Sequence, residues 1–151
     1  MRRLSVGLMA VGVAACLVGC GSSGDYSSPK ATYQTMVKAA QSGSQSGVLA
    51  CYTEASRKGI EQMDKAQAAV AKLLPGGKQA GIVESVINKV KSGKIDVGKE
   101  QIAGDQATLE VTSNGRKESV SFARERGGWF IREREAEMLG GMLGGLEKLT
   151  K

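Results

Sequence analysis

The chain contains no histidine. Imidazole is the side chain that titrates nearest neutrality, and it is the most used general base and metal ligand. Acid–base chemistry would therefore rest on carboxylates, lysine or tyrosine. Aromatic residues are scarce: one Trp, three Tyr and two Phe, 4% of the chain, so the core must be mostly aliphatic. Without histidine, and with the cysteines few and Cys51 far from Cys16 and Cys20, no zinc ligand set is expected, nor any cofactor. Long apolar runs are missing as well. The one candidate, Leu4 to Val18, is shorter than the roughly 20 residues that a membrane-spanning helix needs. No phosphate-binding loop or dinucleotide fingerprint is present, because Gly127-Gly128 and the tail glycines do not lead from a strand into a helix in the required way. Net charge is +6, yet acids and bases are interspersed along the chain, which describes a solvated surface and not a concentrated basic patch, and without basic–aromatic interleaving nucleic acid is not an expected partner.

What the sequence does contain begins at its start. Arg2 and Arg3 precede the apolar run, the order of a secretory signal. The run closes on Leu17-Val18-Gly19-Cys20, and Val13-Ala14-Ala15-Cys16 offers a second site of the same pattern. These residues resemble the lipobox of bacterial lipoproteins. The resemblance implies that a cysteine thiol is acylated and that a signal peptidase cuts just before it. Cys20 is the better candidate. Cutting at Cys16 would shorten the apolar core and strand Leu17 and Val18 on the mature chain, whereas cutting at Cys20 leaves the spacer GSSGDYSS. The expected division is a signal peptide over 1–19, a flexible tether over 20–28, a globular domain over 29–134 and a tail over 135–151. By the same resemblance the protein belongs to the cell envelope. Gly21 stands where an aspartate would retain it in an inner membrane, which favours the outer one. Loss of Arg2 and Arg3 lowers the net charge from +6 to +4. Cys51 then has no disulfide partner, and its neighbours Val48, Leu49, Ala50 and Tyr52 read it as a small buried hydrophobe.

The mature chain reads as helices followed by strands, an α+β class with N-terminal helices packed on a curved antiparallel sheet of about four strands. Ser28-Pro29 predicts a helix start, and Tyr33, Met36, Val37 and Ala40 follow at helical spacing. SGSQSG over 42–47 predicts a break. A second helical stretch runs through Val48 to Tyr52 and, after a kink, through Ile60, Met63, Ala66, Val70 and Leu73. Leu74 to Lys78 predicts a stop, and a third helix is expected over about 79–91. Alternation then takes over, with a strand over 94–102 bulged at Gly98, a strand holding Ala107, Leu109 and Val111 inward, an Asn114-Gly115 hairpin, Val120 and Phe122 inward, a turn, and Trp129-Phe130-Ile131. Arg132 to Glu137 mixes signs and reads as a solvated helix start. In the tail, Met138, Leu139, Met142, Leu143, Leu146 and Leu149 form an apolar stripe interrupted by four glycines, each costing about 1 kcal/mol relative to alanine in a helix. The 138–149 segment is thus a frayed tail or a helix packed on its own domain, or else a contact for a protein partner or a membrane.

Helices first, then Gly104 to Val111, a hairpin and Gly127-Gly128-Trp129-Phe130-Ile131: this order resembles the small lipoprotein domains of the nuclear-transport-factor-2-like superfamily, nearest to the domain of unknown function 4878. The resemblance covers about Ser28 to Glu133. It implies a curved sheet forming a cone with a pocket, and it implies no activity, because that superfamily hosts enzymes and non-enzymes alike. Enzymes on this cone use an acid–base residue with a tyrosine helper, for which the candidates here are Asp96, Asp105, Tyr33 and Tyr52. Each has a structural explanation: a turn for Asp105, a strand's solvent face for Asp96, apolar helix faces for the tyrosines. The expectation is a lipid-anchored, non-enzymatic binding or interaction module for a small apolar ligand or a protein. An enzyme with an acid/tyrosine site in the cone is the alternative.

Overall fold

Ser28 and Pro29 open helix α1, Pro29–Gln41, in a computed structural model that describes residues 24–73 and 80–149, with side chains of the last helix described as far as Met142. The Ser28 hydroxyl accepts from Ala31 N–H at 3.1 Å, and proline occupies a first turn that needs no donor. Thr32, Tyr33, Met36 and Ala40 face inward at helical spacing. SGSQSG does more than interrupt the chain. Ser42 ends α1, and Ser44 caps a short helix α2, Gln45–Ala50, by accepting from Gly47 N–H.

The kink expected after Tyr52 is a complete break. Cys51 to Thr53 leaves the helix to lie along the last strand, where Ile131 N–H donates to the Cys51 carbonyl and Thr53 N–H donates to the Ile131 carbonyl. Tyr52 therefore stands in an extended segment and not on a helix face. The Thr53 N–H and the Cys51 carbonyl are bonded to the strand, which withdraws a donor and an acceptor from a continuous helix. Thr53 then caps α3, Glu54–Leu73, accepting from Ser56 N–H at 3.2 Å. That helix buries only Ser56, Gly59 and Ile60, while Ala66, Val70 and Leu73 are exposed. Its far half runs past the core, so the apolar stripe read from the sequence is mostly uncovered. Helix α4, Ile82–Ser92, starts where Asp64 of α3 accepts the Ile82 N–H at 2.7 Å, and it buries Val83, Ile87 and Val90. The expected stop at Leu74 to Lys78 lies outside the described residues.

The strands are β1 (Ile95–Ala103), β2 (Gln106–Ser113), β3 (Arg116–Glu125) and β4 (Gly128–Ile131), paired antiparallel in chain order. Among the described residues the fold is thus five helices and one four-stranded antiparallel sheet, as the α+β reading expects. The Asn114-Gly115 turn has φ of 52° and 79°, the pair of left-handed residues that matches strand twist. The β1–β2 register shifts between Val97 and Glu100, around Gly98. Ala107, Leu109, Val111, Phe122, Trp129 and Ile131 are buried against α1 and its neighbours, and Val120 is half-buried.

The outer edge of β4 is covered twice, by the Cys51–Thr53 segment and by Tyr26, whose carbonyl accepts from Trp129 N–H at 2.8 Å. The Tyr26 ring stacks on Phe130 with centroids 5.1 Å apart. Asp25 and Thr35 exchange hydrogen bonds of 3.1 and 3.2 Å. Residues 24–28, read from composition as tether, are therefore part of the domain.

Helix α5, Arg134–Leu149, lies along α3 and runs in the same direction, since Glu137 meets Thr53 and Ser56 while Gly140 meets Gly59. The approach is close: a Cβ on Gly59 would stand 2.0 Å from the Ala136 carbonyl oxygen, and one on Gly140 would stand 2.6 Å from Gly59 Cα. Arg132 to Glu137 is not simply solvated. Ala136 is fully buried, and Glu137 takes hydrogen bonds from Ser56, Thr53 and Arg132.

Candidate functional site

Two of the four sequence candidates come together. Tyr33 from α1 and Tyr52 from the β4-bound segment line one cavity of about 220 Å³ between the helices and the inner face of the sheet. Tyr33 is held by its helix: Thr32, one residue before it, donates to the Trp129 carbonyl at 2.7 Å and fixes the rotation of α1 on β4. Tyr52 is held by the backbone bonds on either side of it. Val86, Val90, Ile95, Val120 and Ile131 supply the apolar wall.

Besides the two phenols, the polar members are Lys89, Ser113, Glu118 and Glu133. Lys89 Nζ contacts both Glu118 carboxylate oxygens at 2.7 Å, and both side chains are about half exposed, so this pair stands at the rim. Ser113 Oγ is buried in the wall with no hydrogen-bond partner among the described residues. Burial, followed by the Glu133 carboxylate, pushes the Tyr52 phenol well above its ordinary value. Burial and the Glu118 carboxylate push Tyr33 in the same direction. Burial, with Glu135 and Glu137 nearby, also raises Glu133. Both phenols are thus protonated donors at neutral pH. Around an aliphatic wall they and Ser113 offer hydroxyls to one polar group on an otherwise apolar guest. Among the described residues, no three His, Cys, Asp or Glu side chains stand together as a metal would require.

The other two candidates do not reach this cavity. Asp96 is exposed on β1, and Asp105 is exposed in the β1–β2 turn, where its carbonyl accepts from Arg124 N–H at 2.9 Å. Cys51 is fully buried and its thiol is pushed up to about 11, chiefly by burial, while it donates to the Gly47 carbonyl at 3.4 Å. Cys20 and Cys16 lie outside the described residues. On α5, Met138, Leu139 and Met142 are 70%, 47% and 68% exposed, on the side away from α3.

Ser113, Lys89, Glu118 and Glu133 escaped the sequence reading. Only Ser113 left a signal: it continues the inward phase of Ala107, Leu109 and Val111, so a polar side chain there points into the core. The Lys89–Glu118 pair joins positions 29 residues apart, which no local pattern reveals.

In comparisons with known proteins, no family model, no curated protein and no solved structure matches the chain.

Proposed function

We propose that this chain is a bacterial envelope lipoprotein, held by acyl groups on Cys20, whose domain binds a small, largely apolar ligand and is not an enzyme. The observation that carries the anchor is Leu17-Val18-Gly19-Cys20 closing an apolar run too short to span a bilayer. One acyl chain binds membranes only marginally, whereas the two or three chains on a lipoprotein cysteine hold stably. Among the described residues no helix is long and apolar enough to cross a membrane, so the lipid is the attachment this reading needs. Gly21 after the cysteine favours the outer membrane where the cell has two. The test is lipid labelling and fractionation: label and membrane association are expected to persist in Cys16→Ser and to vanish in Cys20→Ser. The reverse pattern would move the anchor to Cys16, and free, unlabelled wild type would refute it.

The cavity between Tyr33 and Tyr52 supports the binding reading. At about 220 Å³ it is smaller than most drug-sized sites, so the ligand is small. The enzyme reading draws on a specific observation as well: Glu133, raised by burial, lies in the same lining as Tyr52. Binding is preferred because Glu118 is paired with Lys89 and Glu133, though partly desolvated, keeps much of its side chain in solvent, so among the described residues no fully buried base faces the hydroxyls. A protein partner would use the outer side of the 138–149 segment.

A further inference from the structure

Five cations from three stretches of the sequence, Lys38, Lys91 with Lys94, and Arg116 with Lys117, stand at one end of the fold. Lys38, near the end of α1, lines a groove of about 400 Å³ together with Gly24 and Ser42. Beside it, the Lys91 ammonium lies 3.2 Å from where a Cβ on Gly43 would stand. Lys94 accepts from Asn114 N–H at 3.1 Å, and its own N–H donates to Asn114 Oδ1 at 3.2 Å. Arg116 and Lys117 open β3 directly after that turn. All five side chains are exposed, and none is in an ion pair among the described residues. Two carboxylates share this end, Asp25 and Asp96, and the Lys89–Glu118 pair is neutral. Cations therefore outnumber free acids.

The chain enters the domain at the same end. Gly24 is tied beside α1 through Asp25 and Thr35, and it borders the groove that holds Lys38. Only Gly21, Ser22 and Ser23 separate it from Cys20, a span of at most about 14 Å. A domain of this length has a radius of gyration of about 14 Å. A leash no longer than that radius does not let the far end turn toward the surface that holds Cys20.

We propose that this basic end is a membrane-facing surface, resting on anionic lipid headgroups of the bilayer that holds the chain; the inference rests on the Cys20 anchor. Exposed lysine and arginine close to an anionic leaflet are attracted within a Debye length, and the leash keeps them inside that range.

The test uses the processed protein purified from the envelope and reconstituted in vesicles whose headgroups carry a quencher, either neutral phosphatidylcholine or a mixture rich in phosphatidylglycerol. A fluorophore is placed on Ser92→Cys, at the basic end, or on Asp105→Cys, at the far end of β2; Cys51 is buried and does not compete. In anionic vesicles the label at 92 is expected to be quenched at least about twofold more than the label at 105. That contrast should fall to the smaller one that the leash alone maintains in high salt, in neutral vesicles, and when Lys38, Lys91, Lys94, Arg116 and Lys117 are changed together to glutamine. These five positions are exposed, and a thermal melt confirms that the variant folds. Equal quenching of the two labels, or a contrast that the substitutions leave unchanged, overturns the proposal. Intact mass of the same sample separates the causes. Acylated protein with equal quenching defeats the surface alone, whereas an unmodified Cys20 defeats the anchor and the surface with it.

Discussion

At Gly59, a hydrogen takes the place where any other residue would set a carbon against the Ala136 carbonyl oxygen. Glycine inside a helix is ordinarily a defect, and alanine there gains about 1 kcal/mol. Here the sign reverses. The intruding methyl would meet backbone, which cannot swing aside, and overpacking of this kind costs about 1–3 kcal/mol. Gly59→Ala is therefore expected to lower the denaturant midpoint; a midpoint above wild type would show that α5 does not sit where described. Cys51 makes a second prediction at this scale. Its thiol is enclosed and pushed up to about 11, so the folded protein should resist alkylation at pH 8 and label quickly only in denaturant. The burial of Cys51 was legible from its apolar neighbours in the sequence. The need for glycine at 59 was not, because it arises from a helix 77 positions later.

Helices α3 and α5 are joined at their starts by a polar knot. Burial works against the Glu137 carboxylate, but donors on Ser56, Arg132 and Thr53 outweigh it and hold the group below the ordinary 4.5. The sign follows from that direction. A carboxylate more acidic in the folded state contributes stability that is complete above 4.5 and is lost as pH falls through the lower folded value. Glu137→Gln should therefore weaken the protein by about 1.5–3 kcal/mol at pH 7, and the gap to wild type should narrow below that window in urea melts at several pH values. Glu133 works oppositely: raised in the folded state, its charge disfavours folding above the raised value, so Glu133→Gln should be neutral or mildly stabilising at pH 7. The hairpin offers an independent test. Gly115 has φ 79°, and Gly115→Ala should cost about 1–2 kcal/mol, read as a lower melting temperature. Caps and hairpins were legible because their signals are local, as at Ser28-Pro29 and Asn114-Gly115. The break at Tyr52 was not. The segment is apolar at helical spacing, and the hydrogen bonds to Ile131 that pull it straight are set only by the fold.

The whole molecule separates charges that the sequence mixes. Lysines 38, 91 and 94 belong to a chain whose acids and bases are interspersed, which suggested an evenly solvated surface without a basic patch. Antiparallel pairing and the crossing of α1 over the sheet then bring them beside Arg116 and Lys117. The pocket was half legible for the same reason: Tyr33 and Tyr52 could be named as residues, but their shared cavity exists only once β4 holds the second of them. At this scale Phe130→Ala, which removes the ring beneath Tyr26, should free residues 24–27 and lengthen the leash. In the vesicle experiment that variant should lose part of the contrast between the two ends while keeping its acyl groups.

The rim pair of the cavity belongs to this geography. Lys89 is two residues from Lys91, and Glu118 follows Lys117. If the cationic end rests on lipid headgroups, the mouth between them stands near the bilayer surface, and a guest dissolved in the membrane has a shorter path to it than one dissolved in bulk water. Each methylene on a guest favours an oily phase by about 0.8 kcal/mol, roughly fourfold in partitioning. The protein would then fish in a reservoir already enriched in its guest, and its occupancy would follow what is dissolved in the bilayer more than what is dissolved in the fluid beside it.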